Sequence, residues 1–474
     1  MRNIKPKIDI IDYLSTLDWF VFFSILIITV YAVYFGQSLK KKTSTEKESF
    51  IDLMLMGRQL TLPMFVATLV ATWYGGIFGV AQIAFNNGIY NFVTQGIFWY
   101  VSYIIFAIFI LQKLKNYDSV TLPDLVEKMY GPKSGKLTAL LNILNLLPIA
   151  YSISIGILIQ MLFGLSFPVS VAAGVAFVVL YSFIGGFRAV VFSDIIQFFV
   201  MLITVIMILV LSISTYGTDK LLELPDSYFN PMGTYGILET LSWGLIAIST
   251  LVDPNFYQRA YAAKDFKVAK IGILISTLIW IIFDLSLTFG AMYAKALIPN
   301  AESTKAYLIY AIQLLPDGLR GFTIAGIVAT VLSTLDSYIF LASSTFAFDL
   351  VPKKYKAKVS IHHFSTILFG GISVLLAIMF EGDIKDIWKT LGSLSTSALL
   401  IPILFGLIKP RHLGDKSFLI CSSLGIISCT YWRLSGLKEK YQLDEIYIGS
   451  LFSFMGIILF SIFKKGSEDD NKNR

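Results

Sequence analysis

Two cysteines, three histidines and a charged fraction of 15% are all that remain of those chemistries in a 474-residue chain that is 56% hydrophobic. Each scarcity excludes something. An ordinary globular chain is about 25% charged, so this one cannot clothe a soluble domain. Cys421 and Cys429 stand eight residues apart in one apolar run, about 12 Å of helical rise, which is too far for a disulfide between them. His362, His363 and His412 read as members of polar connections, and none has the i, i+4 spacing of a helical zinc pair. No phosphate-binding glycine loop and no Gly-x-Ser-x-Gly turn occurs, so no soluble-enzyme chemistry is indicated. The net charge of +7 is spread over short Lys/Arg clusters between apolar runs, which marks membrane topology and not a nucleic-acid surface.

What the chain has instead is apolar runs of the roughly 20 residues that cross a bilayer as helix. Thirteen are delimited by charged, Pro, Gly or Asn breaks, near 18–36, 62–82, 88–112, 137–163, 168–186, 190–214, 237–258, 271–294, 319–345, 361–380, 385–408, 417–436 and 445–463. They predict an all-α membrane protein of about thirteen transmembrane helices. The first run follows a polar N-terminus and ends at Lys40, Lys41 and Lys42 with no small-residue cleavage site, so it is expected to stay as a span. Connections after the odd-numbered spans, with the C-terminal tail, hold 26 Lys and Arg against 12 elsewhere. The positive-inside rule then puts the N-terminus outside and the C-terminus in the cytoplasm of a multi-pass plasma (inner) membrane protein. Residues 464–474 form the expected cytoplasmic tail, of which the polar stretch 466–474 is expected to be disordered.

Polar groups inside apolar spans carry the functional information. Asp284, alone between Phe283 and Leu285, reads as a carboxylate that pairs with a neighbouring hydroxyl and pins packing. In span 9, Thr330, Ser333, Thr334 and Ser337 fall at i, i+3, i+4 and i+7, one polar stripe on a helix, with Asp336 on its flank. Such hydroxyls either bond back to their own helix or offer oxygens to an ion. Span 2 holds Ala-Thr-Trp-Tyr-Gly-Gly over 71–76, where paired glycines permit unwinding and would free carbonyls such as those of Ala71 and Tyr74. Span 7 has a second interruption, where Trp243-Gly244 precedes a stretch ending in Asp253-Pro254. Two broken helices five spans apart point to an inverted-repeat transporter with its site between them. Freed carbonyls and a hydroxyl stripe supply the neutral oxygens that suit a monovalent hard cation such as sodium.

These residues resemble the sodium/solute symporter family. The resemblance rests on Gly57-Arg58, on the run over 71–76, on Gly185-Gly186-Phe-Arg-Ala-Val-Val-Phe-Ser-Asp194-Ile-Ile-Gln197, on Asp253-Pro254 with Gln258-Arg259, and on Leu332-Ser-Thr-Leu-Asp-Ser337. It implies two five-span inverted repeats, 62–214 and 237–408, flanked by an extra helix and loop in 1–61 and two helices in 417–463. It further implies a main sodium site formed by the carbonyls of Ala71, Tyr74 and Thr330 with the hydroxyls of Ser333 and Thr334. Asp194, Asp336 and Ser337 mark a candidate second sodium site or exit path, where Asp336 departs from the serine of two-sodium members.

The expected solute site lies between the broken middles of spans 2 and 7 and the facing part of span 3, using Trp73, Gln82, Gln95, Trp99 and Trp243. The run Ala71-Thr-Trp73 is similar to the choline-transporting branch, and Trp73, Trp99, Tyr100 and Trp243 have the chemistry of an aromatic cage for an ammonium group. The sequence therefore reads as a sodium-coupled symporter, not an enzyme, that imports a small organic solute such as an amino acid, monocarboxylate, sugar or quaternary amine. The alternatives are a proton-coupled carrier that uses Asp194 and Asp336 as relays, or a transporter-like membrane sensor.

Overall fold

Within a bilayer the backbone can bond only to itself or to protein around it, and the chain answers with helices. The computed structural model describes residues 5, 9–40, 46–183, 185–352, 354, 358–380 and 384–472, among which no strand occurs. Helix α1, Thr16–Ser38, starts at a reciprocal cap between Ser15 and Asp18. The next apolar run is split into α2, Leu62–Ala71, and α3, Ile77–Asn87. Helix α4, Phe92–Leu114, contains two π-helical stretches, and α5, Pro132–Phe163, is interrupted at Leu147-Pro148 because proline cannot donate to the ladder. Helices α6, Phe167–Ser182, and α7, Gly186–Tyr216, follow. A second split run comprises α8, Gly236–Ile248, one tight turn over Ser249–Val252, and α9, Pro254–Ala262. Then come α10, Phe266–Leu297; α11, Leu319–Leu350; α12, Val359–Met379; α13, Lys389–Ile408; α14, Asp415–Leu434; and α15, Glu445–Ile462.

By length and composition 11 described helices can cross a membrane, counting the split run Gly236–Ala262 as one, while Leu62–Ala71 and Phe167–Ser182 are shorter apolar helices. The expected second span is therefore two half-helices. The helix of α15 runs on to Lys472 where a disordered tail is expected, and His362 and His363 sit in the first turns of α12, His362 buried, instead of in a polar connection.

Burial ranks the helices. The apolar window of α11 is 94% buried and that of α1 only 22%, so α11 is the central post and α1 a peripheral helix. Helix α11 packs against α7, α1, α12 and α5. The two split runs are tied together at one end, where Leu60 N–H donates to Ala262 O at 3.0 Å and Lys264 N–H to Leu60 O at 3.0 Å. At another place four helix ends meet in a charge network. Lys389 of α13 contacts Glu239 of α8 at 2.7 Å and Asp444 at 3.0 Å, Lys438 contacts Asp444 and Glu445, and Arg433 of α14 contacts Glu445 at 2.7 Å.

Burial by itself would raise the Asp444 carboxyl, but Lys389, Lys438 and the Ile446 amide hold it below its ordinary 3.8. A depressed acid stabilises the fold above its unfolded pKa and loses that contribution as pH falls through its folded value. The unfolding temperature of the wild type should therefore fall more steeply than that of Asp444→Asn between about pH 5 and about pH 3. Parallel profiles from fluorescence-detected melting would remove Asp444 from the account.

Candidate functional site

In an uninterrupted helix Gly75 N–H would bond to Ala71 O. Here it bonds to the Thr334 hydroxyl of α11 at 2.7 Å, and Ala71 O accepts from the Ser333 hydroxyl at 2.7 Å. One lost backbone bond is thus replaced by two bonds to the central post. A Cβ at Gly75 would lie 2.4 Å from Thr334 Cβ, so the close approach requires glycine there. Ser333 and Thr334 also reach Thr330 O, each at 3.2 Å. Four of the five oxygens expected at the main sodium site, those of Ala71, Thr330, Ser333 and Thr334, are therefore joined by hydrogen bonds. Tyr74 O takes the first bond of α3, from Ile77 N–H at 3.0 Å. The Thr330 hydroxyl bonds back to Ile327 O at 2.7 Å, leaving its carbonyl as the oxygen that faces the break.

One turn along α2 lies a buried charge cluster. Asp194 of α7 accepts from the Thr68 hydroxyl at 2.5 Å, and Arg259 of α9 stands 3.8 Å from the same carboxylate oxygen. The guanidinium also donates to Thr68 at 3.0 Å, to Ser337 at 3.2 Å and to Thr72. Arg259 and Asp194 are both fully buried. Ser337 thus joins Asp194 through Arg259, which sequence reasoning quoted as part of a motif and assigned no role. Its only signal was the Gln258-Arg259 pair of the motif, since it falls just past the expected span 237–258 and reads there as a connection charge. Asp336 turns elsewhere: Ser182 of α6 donates to one of its oxygens, and the other has no partner among the described residues.

A cavity of about 130 Å³ opens beside the break. Four of the five expected solute residues, Trp73, Gln95, Trp99 and Trp243, line it together with Tyr74, Tyr151, Asp253, Asp284 and Tyr338. Trp73 meets Trp99 edge-on at 5.1 Å, and Tyr103, Phe256 and Trp280 surround its other sides. Gln82 is not in this wall; it donates to Ser303 at 3.3 Å. Val80 faces the cavity, and two further residues turn the helix by about 200°, which carries Gln82 to the opposite side. Trp243 lies within α8, nearly two turns before the actual break over 249–253. Asp284 does pair with hydroxyls, those of Tyr74 at 2.7 Å and Tyr100 at 2.5 Å, yet it also faces the cavity, which its isolation in the sequence does not reveal. Tyr100 meets the site through that carboxylate and is not in the wall of the cage.

A profile of the sodium:solute symporter family matches residues 53–414. The chain belongs to that family. Sodium is the symporter's coupling ion, and the chain is a transmembrane transport protein. It is 28% identical to the sodium/pantothenate symporter of Haemophilus influenzae over 57% of this chain and 61% of that one. It is 24% identical to the osmoregulated proline transporter of Bacillus subtilis, over 73% and 75% of the two chains. With the high-affinity choline transporter 1 of Caenorhabditis elegans it shares 21% over 82% and 73%. Among solved structures it resembles a sodium-coupled sialic acid symporter in a substrate-bound, outward-open state, with TM-score 0.76 and 14% identity over 95% and 98% of the chains, a likeness of fold.

The charge cluster generates a test of its own. Removing one partner of a buried ion pair typically costs about 3–5 kcal/mol because the other charge is stranded. Arg259→Gln should therefore destabilise the symporter strongly, and Asp194→Asn added to it should restore part of the loss. A double-mutant cycle of denaturation in detergent checks this; additive penalties would mean that the two groups do not interact.

Proposed function

We propose that the symporter imports a small organic solute into the cell by alternating access, driven by sodium bound where α2 breaks against α11. The observation that supports this reading most directly is the exchange of the Ala71–Gly75 backbone bond for bonds to Ser333 and Thr334. A sodium ion arriving there takes Ala71 O and Thr330 O with the two hydroxyls, and Tyr74 O joins if the end of the break turns inward. Asp194 and Ser337, bound through Arg259, form the path by which sodium leaves or a second ion enters, and the half-paired Asp336 lies on its flank.

In this reading thirteen segments cross the plasma (inner) membrane, with α2 and α3 together as one and the N-terminus outside, as the 26-to-12 division of Lys and Arg favours. Residues 62–214 and 237–408 are the two inverted repeats, each opening with a split helix, and the cavity between those splits receives the solute. The energetics suffice. One sodium ion crossing about 100 mV gains about 2.3 kcal/mol, and a tenfold gradient adds about 1.4 kcal/mol, enough for an accumulation of several hundred-fold.

Each of Ser333→Ala and Thr334→Ala removes one oxygen from the ion. Both should raise the sodium concentration for half-maximal uptake in proteoliposomes several-fold while leaving the maximal rate within a factor of about three. Unchanged sodium dependence in both variants would move the ion elsewhere.

A further inference from the structure

We infer that the solute carries a positively charged nitrogen and that Asp284 is its counter-charge. This rests on the reading of the cavity as the solute site, and it narrows the chemistry that the site accepts. Among the described residues lining the cavity, two are carboxylates, Asp253 and Asp284, and none is Lys or Arg. The nearby Lys389 ammonium lies 5.8 Å over the ring of Trp243 but is held by Glu239 and Asp444. The cavity is therefore electronegative, and much of the remaining wall is aromatic, the faces of which attract cations as well.

The two acids differ. One oxygen of Asp253 caps α9, accepting from the Asn255 backbone at 2.7 Å and its side chain at 3.0 Å, which suits a structural role. Asp284 sits in mid-helix, where a carboxylate does nothing for its own backbone. Its two oxygens take one tyrosine hydroxyl each, at 2.7 and 2.5 Å. An ionised carboxylate has about four acceptor sites, so capacity remains for an ammonium group or its N–H donors. Opposite charge is what such a buried acid lacks, since among the described residues no cationic side chain pairs with it; an anionic solute would add a further negative charge to a cavity that already holds two carboxylates. The Gln95 amide nitrogen, buried in the same wall and without a partner among the described residues, is a donor for an acceptor oxygen on the solute. A small ammonium compound with a hydroxyl or carboxylate at its other end fits both groups.

Tyr74 connects this site to the ion. Its backbone belongs to the broken segment that meets α11, while its hydroxyl holds Asp284 and its ring stacks on Phe283 at 3.7 Å. Sodium binding that reshapes the break thus repositions the group that holds the solute's counter-charge.

The test uses the purified full-length symporter and its thermal stabilisation by four probes with and without saturating sodium. The probes are choline, ethanolamine, the uncharged carbon isostere of choline, and pantothenate as an anion. Choline or ethanolamine should stabilise in sodium, with the isostere and the anion at least about tenfold weaker; which of the two ammonium probes is stronger separates a quaternary from a protonated nitrogen. Asp284→Asn should lose at least about tenfold in ammonium affinity while sodium alone still stabilises it. Equal affinity for the isostere or the anion, no response to either ammonium probe, or undiminished ammonium binding in Asp284→Asn would each overturn the inference. If that variant does not fold, the comparison of charged and uncharged probes in the wild type decides. Failure of sodium alone to stabilise the wild type is a separate result, and it would count against the ion site.

Discussion

The peptide groups released where α2 stops must find partners within the membrane, where each unsatisfied one costs several kcal/mol. That demand organises the centre of the protein. Gly75 N–H and Ala71 O can be satisfied only by groups that come from another helix, so α11 must pass within contact of the break and must carry hydroxyls at Ser333 and Thr334. The contact in turn requires glycine at 75, where any side chain would collide with Thr334. Helix α11 can fill that place because it is buried on nearly all sides. In the proposed sodium site the same oxygens that complete the backbone would also hold the monovalent cation, so structural necessity and ion chemistry would be met by one set of atoms.

A second constraint is the cost of charge. Arg259 and Asp194 are both withdrawn from solvent, and the guanidinium spends its donors on Thr68, Thr72 and Ser337 from two other helices. Buried pairs of this kind contribute little net stability, because desolvation offsets the attraction. What the pair does here is to fix which face of α9 meets α2 and α11, since any other register would strand a charge.

Much of this was legible in the chain itself. Hydropathy located a helix at every expected run, since twenty apolar residues have few alternatives. Gly75-Gly76 located the first break, and the spacing of 330, 333, 334 and 337 located the face that meets it. The carbonyl of Ala71 and both hydroxyls followed from those two local patterns, and the carbonyl of Thr330 from the family resemblance. What failed to show was whatever depends on how distant helices are rotated. Gln82 had the right type and depth but the wrong azimuth. Asp284 looked isolated because its partners, Tyr74 and Tyr100, lie some two hundred residues away. Arg259 read as a charge just past a span, and nothing local to α9 names its partners on α2, α7 and α11.

The backbone link between the ends of the two split runs bears on how such a molecule can move. Leu60 exchanges hydrogen bonds with the chain around Ala262 and Lys264, and a turn or two inward Arg259 of α9 grips Thr68 of α2 and Thr72 at its end. Two half-helices that share both a backbone clasp and a side-chain rivet are tied as one unit. Their hinges are the two breaks, over 72–76 and 249–253, which face each other across the cavity. In the transport cycle proposed above, opening toward that end would be a swing of the joined pair about these two breaks, and a ligand that stiffens either one would hold back both half-helices.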